Sequence, residues 1–263
     1  MIRQPSEDET ISMSWRPGIP VSFFSLLAGV VTWEVAGRWA GIRFLPPLSR
    51  VLLAGIDLIA SGQIITHLAA SLLSLLTGYG LAVVLGLLLG GVMARFQMIE
   101  YILNPYLNAF LATPKIVLLP VMYTFFGLSR LVQVAVIFLS AFFVIVLNTM
   151  RGIQTVDPAY IEMARAFGAS PHQLFRKVLL PGALPLTMAG LRLAMGYAVK
   201  GMVTGEMFIT VFGIGALLRI YGGRFDAEKV FAILLVVIGV GLVCSYIIQT
   251  VERRLTHWMN PRI

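Results

Sequence analysis

The chain has 263 residues, 58% of them apolar and only 12% charged, with a mean hydropathy of +0.88 and a formal charge of +8. A water-soluble domain carries about 25% charged residues, so there is too little polar material to cover a water-facing surface, and the aliphatic content excludes a disordered chain. The single cysteine, Cys244, excludes a disulfide scaffold, and 20 Lys+Arg against 12 Asp+Glu, scattered singly, fit lipid headgroups and membrane-flanking loops and not nucleic acid.

Residues 1–20 are polar and mixed in charge, without the basic start and small-residue cleavage site of a secretory signal, and read as a retained cytoplasmic tail. Residues 21–263 read as a single membrane domain. Within it six apolar stretches, 21–40, 66–93, 99–126, 131–150, 183–210 and 229–251, have spanning length. They are apolar all round instead of alternating, which predicts helices and not barrel strands. An even number of crossings puts both termini on one side. That side, with 94–98 and 151–182, carries about 10 cations against about 7 on the other, and the positive-inside rule makes it cytoplasmic.

After the first span, Leu48, Val51, Leu52, Gly55, Leu58 and Ile59 recur at helical spacing behind Pro46-Pro47, predicting a short amphipathic helix at the outer interface. Gly86 and Gly90 in the second span, and Gly201 and Gly205 in the fifth, are four apart and permit close helix approach. The third span is interrupted by Pro105, Pro114 and Pro120, with Lys115 at the break. Unwound backbone at membrane depth lines a wet cavity or is buried in protein, so Lys115 either faces a pathway or snorkels beside a kinked, packed helix.

The long polar segment 151–182 carries two start signals. Asp157-Pro158 opens a ten-residue helix that Gly168 closes, and Ser170-Pro171-His172-Gln173 is an S-x-x-Q capping box that opens a second helix, which Pro181-Gly182 should stop. Together they form a compact cytoplasmic knob, with Ile161, Met163, Ala164 and Phe167 as apolar contacts and Glu162, Arg165, Arg176 and Lys177 as polar anchors for a partner's groove.

Glu162-Met163-Ala164, Gly168 and Val178-Leu179-Leu180-Pro181 keep every spacing of E-A-A-x3-G-x9-I-x-L-P. This resembles the EAA loop of ABC importer permeases, with Met163 and Val178 as mild departures. The surrounding "DPAYIEMARAFGASPHQLFRKVLLPGALP", "GLRLAMGYA", "ATPKIVLLP" and "FGIGALL" are similar to permeases for nitrate, sulfonate, taurine and related solutes. The resemblance implies a type I (MetI-like) permease of six transmembrane helices in a bacterial inner membrane. It further implies a homodimer that works with two cytoplasmic ATPases, which bind ATP and Mg, and with a periplasmic or lipid-anchored solute-binding protein. Glu162, Ala164, Arg165, Gly168, Leu180 and Pro181 would then engage the ATPase. The chain has no G-x-x-x-x-G-K-S/T run and no metal-type cluster of its own, so no cofactor is expected in it.

Ionisable groups inside spans are costly and mark function by default. They are Lys115, Arg192, Lys200 and Glu206. Three cations against one acid point to a small anionic solute, although Arg192 lies near the cytoplasmic end, and Glu206 could instead brace the segment 213–223. That glycine-rich segment reads as a re-entrant turn or a connecting loop, and Asp226 as a cap for the last span. The competing class, a self-sufficient secondary transporter of a small organic anion, would show internal repeats and paired acids inside the membrane. Neither is found.

Overall fold

The computed structural model describes residues 19–39, 45–209 and 212–257, so all but the last two residues of the expected tail lie outside it. The described residues form eleven α-helices and no strand: α1 (Ile19–Trp39), α2 (Leu48–Ala60), α3 (Gln63–Arg95), α4 (Gln97–Ala112), α5 (Leu119–Phe126), α6 (Arg130–Gln154), α7 (Pro158–Ala166), α8 (Pro171–Leu174), α9 (Leu180–Ile209), α10 (Ile214–Gly223) and α11 (Ala227–Leu255). Among the described residues four helices are long and apolar enough to cross a membrane, and five if the bent pair formed by α4 and the segment Lys115–Phe126 counts as one span. The first predicted stretch forms α1, 21 residues long, whose apolar side chains are mostly exposed.

The span with three prolines breaks at Thr113-Pro114. Beyond it a 3-10 turn, Lys115–Leu118, leads into α5, and the two arms meet at 97°. α2 is the predicted amphipathic helix. It buries Val51 and Leu58 against α11 and α10, while Leu52 and Ile59, on the same expected face, remain exposed. Asp226 caps α11 as expected, accepting a hydrogen bond from the Lys229 amide at 3.2 Å.

α6 is the axis of the bundle, packed most extensively against α9 and α3. Glycines make this approach possible. A Cβ on Gly86 would stand 2.8 Å from Ile145, and one on Gly90 would stand 2.7 Å from Thr149 and from the Val146 carbonyl. The four-residue glycine spacing therefore serves packing within the chain. A Gly90→Val chain should lose about 1–3 kcal/mol through overpacking, seen as a lower thermal midpoint of the detergent-purified chain. A Gly91→Ala control, which meets nothing within 4 Å, should not move it.

Two expectations are overturned: the segment 213–223, read as a re-entrant turn or connecting loop, is helix α10 with Ile214, Leu217, Leu218 and Tyr221 buried, and the knob ends differently. Pro181-Gly182 does not end the second helix of the knob. α8 passes through a π turn, Phe175–Leu179, directly into α9, giving one helical body, Pro171–Phe208, of 38 residues. The π turn bonds the Leu180 amide to the carbonyl of Phe175, five residues back. Pro181, the next residue, supplies no N–H in either register, so the helix passes through it with one ladder bond fewer.

Candidate functional site

The knob is built by local chemistry. Asp157 Oδ1 accepts from the Ala159 amide at 2.8 Å. Ser170 Oγ accepts from the Gln173 amide at 3.3 Å while Gln173 Oε1 accepts from the Ser170 amide at 2.8 Å, completing the capping box. α7 ends after nine residues with Gly168 at φ +75°. The amide of Gly168 bonds the Arg165 carbonyl and that of Ala169 the Ala164 carbonyl, a Schellman closure that needs a left-handed residue at this position. Glu162, Met163, Arg165, Phe167 and Gly168 are exposed, and Phe167 is 85% exposed. Leu180 and Pro181 lie in the first turn of α9. The knob thus presents an apolar edge with charges beside it and nothing from the same chain covering it.

The four charges inside the spans separate into three places. Lys115 and Lys200 come together, lining with Ile116, Val136, Ser140, Tyr197, Gly201 and Thr204 a cavity of about 280 Å³ between the break, α6 and α9. Lys115 Nζ donates to the carbonyls of Phe110 (2.7 Å), Leu111 (3.0 Å) and Thr113 (3.0 Å), so it closes the carbonyl end of α4 where the helix dipole is negative. Lys200 is exposed, stands 5.3 Å over the Tyr197 ring, and makes no carboxylate ion pair among the described residues. Arg192 pairs with Glu252 of α11 at 3.0 Å and does not join the cavity.

Glu206 is fully buried. Its Oε2 accepts from Ser71 Oγ and from the Gly215 amide, both at 2.8 Å, and its Oε1 from Gln133 Nε2 at 2.5 Å. Ser71 Oγ in turn accepts from the Ile214 amide at 2.8 Å, and the Gly213 amide donates to His67 Nδ1 at 3.0 Å. One carboxylate therefore joins α3, α6 and α9 to the start of α10, which is the bracing role among the readings of Glu206. Gly213, at φ +113°, and Gly215 are pressed onto it, since a Cβ on either would fall within 2.6 Å of Glu206 atoms. Ser71 and Gln133 went unnoticed in the sequence. Each is one of several polar side chains in its span, Ser71 beside Ser74 and Thr77 and Gln133 beside Ser140 and Asn148, so nothing in the sequence set them apart. Among the described residues no group of three His, Cys, Asp or Glu could hold a metal.

Comparison with known proteins is consistent with this arrangement. A family model described as "Binding-protein-dependent transport system inner membrane component" matches residues 82–257. The formylaminopyrimidine transport permease ThiX of Halalkalibacterium halodurans is 34% identical over 92% of this chain and 96% of its own. The putative aliphatic sulfonates transport permease SsuC of Bacillus subtilis is 30% identical over 88% and 84%. Among solved structures, the inward-facing methionine ABC transporter MetNI aligns with a TM-score of 0.59 at 21% identity, covering 73% of this chain and 94% of that one, which speaks to fold alone.

Proposed function

Because the chain belongs to the family of binding-protein-dependent transport system inner membrane components, we propose that two copies of it form the translocation pathway for a small anionic solute. The chain is the permease of an ABC importer and not its ATPase, so hydrolysis belongs to a separate subunit. In this reading the knob lies in the cytoplasm and fits a groove of that ATPase, both termini share its side, and an extracytoplasmic binding protein delivers the solute at the opposite end. Family membership sets aside the self-sufficient secondary transporter.

The observation that carries the anionic preference is the cavity shared by Lys115 and Lys200. Lys115 spends its donors on the end of α4, which leaves Lys200 as the ammonium available to a passing solute. The relatives are named for cargoes as unlike as a sulfonate and a formylaminopyrimidine, so family membership alone does not name this solute. The test is ATP-driven uptake by the complete transporter in proteoliposomes, with taurine, ethanesulfonate and formylaminopyrimidine as probes. Lys200→Glu should cut uptake of the anionic probe at least ten-fold while ATPase binding is retained. Unchanged uptake and preference would overturn the anionic assignment.

A further inference from the structure

Helix α4 carries a polar line that neither the knob nor the lysine cavity uses. Gln97, Glu100, Asn104 and Asn108 succeed one another at steps of three and four, which puts them on one face. With Tyr101 and Pro105 they border a cleft of about 700 Å³. Asn108 Nδ2 donates to Asn104 Oδ1 at 2.7 Å and to the Asn104 carbonyl at 2.8 Å, and Gln154 Nε2 donates to Glu100 Oε2 at 2.6 Å. The last bond ties the start of the line to the end of α6 that leads into the knob. Pro105 has no N–H for the Tyr101 carbonyl, so an open backbone acceptor lies on the same face.

Asn108 stands about 16 Å along the axis from Gln97 at 1.5 Å per residue, which, with Gln97 at the membrane surface and α4 along the membrane normal, reaches the middle of a hydrocarbon layer of about 30 Å. Amide side chains and an open carbonyl at that depth are incompatible with lipid and need water or protein. Packed helix seams in membranes favour small residues that let backbones close up, whereas this face is concave and made of Gln, Glu, Tyr, Asn and Pro. It also leads to the break at Thr113-Pro114, where Lys115 borders the cavity it shares with Lys200.

We infer that the α4 face from Gln97 to Asn108 is the wetted wall of the knob-side half of the pathway. Asn104 and Asn108 are its solute-contacting positions between the Lys115–Lys200 cavity and the aqueous exit. The inference rests on the importer reading above.

The single native thiol makes the wall directly testable. In a Cys244→Ser parent, Asn104→Cys and Asn108→Cys are introduced, with Ile238→Cys and Leu242→Cys on the apolar exposed side of α11 as controls. Each chain is assembled with its ATPase and binding protein in inside-out vesicles and treated with the anionic reagent sulfonatoethyl methanethiosulfonate. Both asparagine positions should react at least ten-fold faster than the controls, and modification should lower ATP-driven uptake of taurine, ethanesulfonate or formylaminopyrimidine. If the parent transports one of these probes but both positions react at the control rate, the wall is overturned and the importer reading stands. The same holds if Asn104→Leu and Asn108→Leu separate the paired subunits in cross-linking, which would make the face a subunit seam. A parent without ATP-dependent uptake of any probe overturns the small-anion cargo proposed above, while the labelling rates still decide whether the face is wetted.

Discussion

A Glu206→Ala chain is expected to lose the corner where four helices meet. The side chain is fully buried and is the common acceptor for Ser71, Gln133 and the Gly215 amide. Ser71 can fall back on the His67 carbonyl, 3.1 Å away, but the Gln133 amide and the Gly215 N–H lose the acceptor they share. A buried donor left in that condition costs about 1–3 kcal/mol. Glu206→Gln keeps the volume yet turns one oxygen into an NH2, which clashes donor against donor with the Gly215 amide on one side and on the other is accepted only if the Gln133 amide turns over to present its oxygen. Thermal midpoints of the purified chain in detergent should therefore fall in the order Glu206, Gln, Ala, and ATP-driven uptake should fall with them. An alanine chain that melts and transports like the parent would remove Glu206 from the architecture.

Gly168→Val should do the opposite, sparing the bundle and disabling the partner. A valine forced to φ +75° costs about 1–2 kcal/mol or more, because its Cβ collides with the following carbonyl. The strain falls on an exposed turn between α7 and α8, so the membrane helices are not asked to bear it. The expected signature is a thermal midpoint lowered by no more than about 2–8 °C, the shift that about 1–2 kcal/mol makes in a chain of this size, together with loss of the co-purifying ATPase and at least a ten-fold drop in ATP-driven uptake. Gly168→Asn tolerates the left-handed turn, so it should hold the ATPase if conformation is what matters and release it if close approach is. Retention of the ATPase and normal uptake by the valine chain would refute coupling through the knob.

What was legible in the sequence was local. The caps at Asp157 and Ser170 span two and three residues, the glycine close of α7 follows from backbone rules, and the order of apolar stretches is unmistakable in composition. The continuity of α8 with α9 was hidden because proline usually stops a helix, and a π turn that absorbs it has no composition signal. The role of Lys115 was within reach: a lysine three residues after the end of α4 can reach its free carbonyls. The Glu206 junction was only half legible. Gly215 is nine residues away, but Gln133 and Ser71 are 73 and 135 residues away, and only the packing of α3, α6 and α9 brings them in.

The unbroken helix from Pro171 to Phe208 has a mechanical consequence. From Pro171 to Lys200 it is a continuous arm of roughly 44 Å at 1.5 Å per residue, with Pro185 inside it, its foot beside Phe167 and Gly168 and its far half bordering the lysine cavity. If the foot is tilted by about 10°, simple leverage on an arm of that length moves the far end by roughly 8 Å, more than the width of a side chain. Small strokes at the foot would then arrive as large ones at the cavity, and the π turn, set near the foot, is where such an arm would flex before it failed.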